Sequence, residues 1–376
     1  MEAGDIEIAC LCLCSTNVDA FLAGVPLDLL NKDADVVLGI LRQYRQVSNE
    51  AMFKHWHQLV SDLSQSSLDV LSWRDEATRD ATAGRVSDRA LNHVYIWKYL
   101  SRMHTAFFLH EYKLAETCAK VVSFYANDDM NFNSMTMFAF LRGLIGAARY
   151  RDTKKWWHRA MLSRSISKFE GWARINGGVN VIHRLMLLRA ESTSLLRSKK
   201  ARSQMKACFD TAVLTATRAG FVADAALANE LAGEHFHRNR DDFWANHYLS
   251  QAFELYSAWK CSLKTTHMLQ RHNTIDSGHS GRLPVKSTFA VRYDLVVTAR
   301  EMEKSIAGGS ANLSHRDTDV GGSSRSAAGG RGSSGSHRGS EVSSQTHDLK
   351  TGSASVDDSL HASIFEKGSG TSQQHR

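Results

Sequence analysis

The stretch ALANELAGEHFHRNRDDFWANHYLSQAFELYSAW, from Ala226 to Trp259, decides the fold. Counting from Gly233, Phe236 follows at three residues, Ala245 at twelve, Leu249 at sixteen and Ala252 at nineteen. A small residue lets a neighbouring backbone come close, and a bulky one on the returning helix fills the gap that remains. A fixed ladder of small, aromatic, small, large, small is therefore the mark of a helix hairpin stacked on its neighbours. The polar run His237 to Asp242 supplies the turn between the two helices.

That ladder matches the tetratricopeptide pattern at five positions, with Ser257 where a closing proline is usual. Degenerate copies lie upstream. Met205, Phe209 and Ala212 occupy the places of Ala245, Leu249 and Ala252, and Tyr112-Lys-Leu-Ala115 with Cys118, Ala119 and Val122 repeats the second-helix half. Met205 and Ala245 stand forty residues apart, longer than the ~34 of a regular repeat, so the array is tetratricopeptide-like rather than regular.

Working outward, Pro26 and Pro284 are the only prolines, which leaves about 250 residues where nothing forbids a helical hydrogen bond. Helix formers dominate the first 306 residues, and the alternation that marks strands is scarce. The fold class is all-α, a tetratricopeptide-like α-solenoid of antiparallel hairpins over residues 1–306. Helices are predicted at Ile6–Ala23, Leu27–Gln46, Ala51–Leu63, Leu91–Leu109, Leu114–Tyr125, Met135–Tyr150, Lys155–Ala173, Val179–Arg197, Ser203–Ala219, Val222–Arg238, Phe243–Trp259 and Leu263–Gln270. Ser64 to Val86 reads as an irregular loop with a brief apolar turn at Val70, Leu71 and Trp73, and Gly171 to Gly178 reads as a helix-ending loop. Residues 307–376 read as a disordered tail. From Gly308 onward 69 residues hold 17 Ser and 12 Gly, too few apolar groups to offset the entropy of ordering.

The charge of +7 sits on the helical part, because the tail carries seven basic and seven acidic residues. No run of five or more Lys/Arg occurs, which disfavours nucleic acid as a partner. The apolar runs fall short of a membrane span, so no membrane partner is expected. Six cysteines without framework spacing fit a cytoplasmic protein. His55/His57, His104/His110 and His235/His237 lack ligand spacing on one helix face, and Cys10 with Cys14 makes only two thiols, so no metal and no cofactor is expected. Trp156-Trp157-His158 and Arg197 to Arg202 pair aromatic with basic residues, but adjacent Trp side chains point about 100° apart on a helix, so at most one is core, and the basic segment fits a solvated turn between helices better than phosphate binding.

Ala219 to Ala232 and Asp242 to Trp259 also resemble the helical-repeat segment that follows the AAA-type, STAND-like ATPase module in large hybrid signalling kinases. Those proteins join a Ser/Thr-kinase-like domain, the ATPase, these helices, a GAF domain and often a histidine kinase. The resemblance runs from about Gly4 to Leu269 and includes Ala20 to Leu27 and Lys155 to Glu191. It implies the connecting helices alone, since the chain has no phosphate loop, no His-Arg-Asp loop, no D-F-G triplet and no phospho-acceptor His followed by a Gly-rich module. The expected function is a non-catalytic protein–protein interaction scaffold in signal transduction, with a protein or peptide segment in its concave groove. The alternatives are a fragment or regulatory segment of a larger ATPase/histidine-kinase protein, and an RNA-binding helical repeat. Taking Gly233 as the small position of the motif places Leu227, Glu230, Glu234 and His237 on the groove face. Limited proteolysis is expected to trim the chain back to about Ile306 first; a resistant fragment reaching past Gly330 would contradict the tail assignment.

Overall fold

The computed structural model describes residues 3–272, apart from 85–90, 126–129, 176–177, 179 and 197. The part of the expected helical-repeat region from 273 to 306 and the expected tail lie outside the described residues. Thirteen helices run in order, with no strand among the described residues: α1 (Ala3–Leu22), α2 (Leu27–Gln43), α3 (Val47–Ser64), α4 (Arg74–Ala83), α5 (Asn92–Phe108), α6 (Tyr112–Ser123) and α7 (Phe132–Thr153). Then come α8 (Trp156–Ile175), α9 (Ile182–Ser194), α10 (Lys199–Ala219), α11 (Val222–Arg238), α12 (Asp242–Ala258) and α13 (Ser262–Arg271). Two expectations are corrected. The loop at 64–86 contains α4, and Gly171 lies inside α8, which runs on to Ile175.

Helices adjacent in sequence pack on one another, most extensively α11 on α12, α7 on α8 and α9 on α10. Six of the turns between them share one geometry. Gly24, Arg45, His110, Gly220, Arg240 and Lys260 all adopt positive φ. In each case the next residue donates its N–H to the carbonyl five positions back, as Asp241 does to Phe236 at 3.0 Å and Cys261 to Tyr256 at 2.9 Å. This is the left-handed C-terminal cap that stops a helix and starts its partner at once. In the last three turns the positive-φ residues fall at 220, 240 and 260, so each helix with its turn takes twenty residues. The forty-residue spacing seen in the sequence follows from 17-residue helices, longer than those of a regular repeat.

The small positions do what the ladder requires. A Cβ on Gly233 would stand 2.6 Å from Leu249 Cγ, the large residue sixteen positions on, and one on Gly146 would stand 2.7 Å from the His158 carbonyl. The helices touch at these points.

The series also closes on itself. The Leu27 N–H bonds the Trp259 carbonyl at 3.0 Å, joining the α1–α2 turn to the end of α12. Gly24, at φ +82°, lies so close to Val222 that an added Cβ would sit 3.0 Å from Val222 Cβ. Phe21 packs edge-on against Trp56, His104 and Trp259, so α1, α3, α5 and α12 meet in one aromatic node. α13 packs against α3. Among the described residues no helix is long and apolar enough to cross a membrane.

Gly233→Ala is expected to cost about 1–3 kcal/mol by forcing Leu249 out of place, read from urea unfolding. Leu249→Ala in the same chain should recover part of that loss, and an undiminished loss in the double variant would contradict the contact as described.

Candidate functional site

α11 lies in the interior, and its charged residues make this plain. Glu230 is 1% exposed and Glu234 5%. Glu230 accepts from Lys264 Nζ at 2.6 Å and from the Tyr256 hydroxyl at 2.9 Å, with His110 Nε2 at 2.8 Å. Burial alone would raise the Glu230 pKa, but Lys264 and His110 outweigh it and bring it down to about 2. Glu234 lies 3.1 Å from Arg271 Nε and 2.9 Å from His272 Nε2, and the His272 hydrogen bond with the nearby Arg271 charge overcomes burial and holds it below the usual carboxylate range. The same arrangement recurs at Asp224 with His183 and Arg184, and at Glu116 with His158 and Arg149. Each carboxylate takes one imidazole and one permanent cation from outside its own helix.

These contacts correct the assignment of the groove face. Leu227, Glu230 and Glu234 face the chain's own α1, α5–α6 turn, α12 and α13, with Leu227 beside Phe21, Phe140 and Trp259 in a small apolar cavity. His237 alone of the four is exposed, its ring 5.6 Å from that of His272. Three of the four residues expected to line a groove are thus covered by the chain's own helices.

The open space lies elsewhere. A cavity of about 940 Å³ is bounded by α2, α3, α5 and the segment leading into α4. Its floor is charged. Glu76, in the first turn of α4, accepts from Lys98 and from Arg102 at 2.7 Å. Burial would raise Glu76, and the two donors more than reverse this, taking it to about 2. Arg102 also lies over the Trp73 ring at 5.1 Å, so the residue before α4 and the helix itself are both anchored to α5. Across the cavity, His55 is lowered to about 4 by burial and by the neighbouring Lys98 and Arg102, which keeps its ring neutral near pH 7. The Ser101 hydroxyl is buried at the wall with no hydrogen-bond partner.

α4 was missed because Ser64 to Gly84 is polar overall. Signals for it were present: Asp75 and Glu76 favour a helix start, Ala77 and Ala81 share one face and are buried, and Gly84 at φ +84° ends it. Without α4 the sequence gives no reason to bring Glu76 to Lys98 and Arg102.

Four of the six cysteines, Cys10, Cys14, Cys118 and Cys261, are buried, and Cys12 is exposed. Cys14 is buried, and burial with its neighbour Cys10 pushes its thiol up to about 12. Among the described residues no group of three or more His, Cys, Asp or Glu is placed to hold a metal ion. Trp156 and Trp157, of which one at most was expected to be core, are both exposed. Compared with known proteins, the chain matches no family model, no curated protein and no solved structure.

Asp62, at the edge of the cavity, provides a test of how dry this wall is. Burial pushes its carboxyl up to about 6, against the hydrogen bond from Gln58 that favours the charge. The folded state thus holds this proton more tightly than the unfolded one. Its cost grows as pH rises from about 4 through 6 and is complete above that. Asp62→Asn keeps the acceptor for Gln58 and is expected to raise stability at about pH 7.5 by roughly 1–3 kcal/mol while changing little near pH 4. Denaturant unfolding at the two pH values separates this from a uniform effect, which would mean that Asp62 carries no buried charge.

Proposed function

We propose that the chain is a non-catalytic scaffold that holds a segment of another protein, or of a neighbouring domain, in the cavity between α3, α4 and α5. The observation that carries this reading is the cavity itself, wide and floored by fixed charges of both signs. Small-molecule sites are mostly apolar and enclosed, with a few polar groups to orient the ligand. Here Lys98 and Arg102 share Glu76, while Arg42 and Lys54 share Glu50 at the rim, so each carboxylate faces two cations. An incoming acidic side chain would find a cation only partly neutralised, and Asp62 and Asp69 would meet a basic one. A polypeptide carrying both signs fits that pattern. The mixed lining gives no continuous phosphate track and so does not favour RNA.

The resemblance to the helices of hybrid signalling kinases supports a place in cytoplasmic signal transduction, where such segments lie between an ATPase and a GAF domain. On that reading the segment taken up belongs to a neighbouring module of the same or an associated protein.

A photo-crosslinking residue at Ser72, which lies exposed on the cavity rim, is expected to capture one defined partner segment from cells. Once it is identified, Gln58→Trp and Ser72→Trp should weaken its binding at least about tenfold by filling the mouth, with the melting transition unchanged. Leu214→Ala, on an exposed face of α10, should leave binding intact. Equal affinity in both cavity variants would remove this site from the function.

A further inference from the structure

The ends of α7, α9 and α11 are tied side by side. Arg151 near the end of α7 bonds Glu191 at 2.7 Å and the Ser194 hydroxyl at 2.6 Å on α9, and Arg238 at the end of α11 feels the charges of both Arg151 and Glu191. Three alternate turns, α7–α8, α9–α10 and α11–α12, therefore share one edge of the helical stack. They carry large apolar side chains pointing into solvent: Trp156 is 68% exposed, Trp157 44%, Leu196 45% and Phe243 74%. Hydrophobic burial is forgone here at each of the three turns, although the hairpins need no aromatic residue to turn.

The same edge is basic. Lys154, Lys155, Lys199, Lys200, Arg238 and Arg240 are all exposed on these turns and on the first residues of the helices that follow. The acids among them are largely engaged: Asp152 lies 3.6 Å from Arg149, and Asp241 caps α12 by accepting from the Trp244 N–H. Asp242 is the exposed remainder beside Phe243.

From this placement we infer that the α7–α8, α9–α10 and α11–α12 turns form a peripheral docking edge for an anionic lipid surface. Rings and aliphatic tips standing out from turns enter a fluid interface without needing a complementary pocket, and indoles flanked by cations are the groups that rest at the headgroup boundary. Cations held within a Debye length of acidic headgroups add attraction that salt screens. A nucleic-acid strand fits less well. The Trp156 and Trp157 rings stand at 83° to each other, so successive bases cannot stack on both, and the Trp244 ring is already covered by Lys206 at 4.2 Å. A surface that lies on a bilayer needs no spanning helix, so the short apolar runs of the sequence leave this mode open.

The test uses the full chain with vesicles of phosphatidylcholine alone or with about one-third phosphatidylserine. The chain is expected to sediment with the anionic vesicles, to be released by salt, and to stay in solution with the neutral ones. The Trp156→Ala, Trp157→Ala, Phe243→Ala triple variant should partition roughly tenfold less, with its melting transition kept because all three side chains are exposed. Should that variant fail to fold, Lys154→Glu with Lys199→Glu tests the same edge through charge. Trp156→Phe with Trp157→Phe should still bind while losing the quenching of tryptophan fluorescence by brominated lipid. No sedimentation with anionic vesicles, undiminished binding by the variants, or displacement of the vesicles by a single-stranded oligonucleotide that binds more tightly would each overturn the inference.

Discussion

The Glu230 carboxylate holds four separate pieces of chain together. Its two oxygens take Lys264 from α13, Tyr256 from α12 and His110 from the α5–α6 turn, at a point where almost no water reaches. Lys264 also donates to the Phe108 carbonyl, which fastens the end of α5 to the start of α13. Ion pairs this deep gain little net stability, because removing both charges from water costs nearly what their attraction returns. What they impose is position. With one partner in place the others must be too, since a lone buried charge is far more expensive than a matched set. The aromatic node around Phe21 and the bond from Leu27 to Trp259 lie in the same closed region.

Much of the helical order was legible because it rests on local rules. Val222–Arg238 was read to the residue, and the Gly233 to Leu249 contact was implied by spacing alone. Other helix ends proved harder: α3 and α10 begin earlier than expected, at Val47 and Lys199, α7 extends beyond its expected bounds at both ends, and α9 stops short of its own at both ends, because polar end residues carry no apolar period to mark them. The closing contacts were invisible for a different reason. Lys264 and His110 are 154 residues apart, and no periodicity in one helix reports that a distant one will cover it. Glu230 and Glu234 therefore read as solvated groove residues, when their partners lie in the α5–α6 turn and at the far end of the series. The cavity was lost with α4, whose polar composition concealed a helix start at Asp75 and Glu76.

One device recurs at four carboxylates inside the stack or at its edge. Asp224, Glu230, Glu234 and Glu116 each combine an imidazole with an Arg or Lys from outside their own turn, which satisfies several lone pairs at once and fixes how neighbouring helices slide. The cavity between α3, α4 and α5 departs from it. There two cations share one carboxylate, His55 is kept neutral, and Ser101 is left without a partner. Polar capacity is spent inside the stack and held in reserve at the cavity wall.

Repeat arrays ordinarily change length by gaining or losing whole units, since each unit touches only the next. The bond between Leu27 and Trp259, with Gly24 pressed on Val222, withdraws that freedom. A duplicated or deleted hairpin anywhere between α2 and α12 would carry one side of the seam away from the other and expose Glu230, Lys264 and the aromatic node together. Among the described residues, the seam thereby couples the number of helices between Gly24 and Trp259 to the closure of the core.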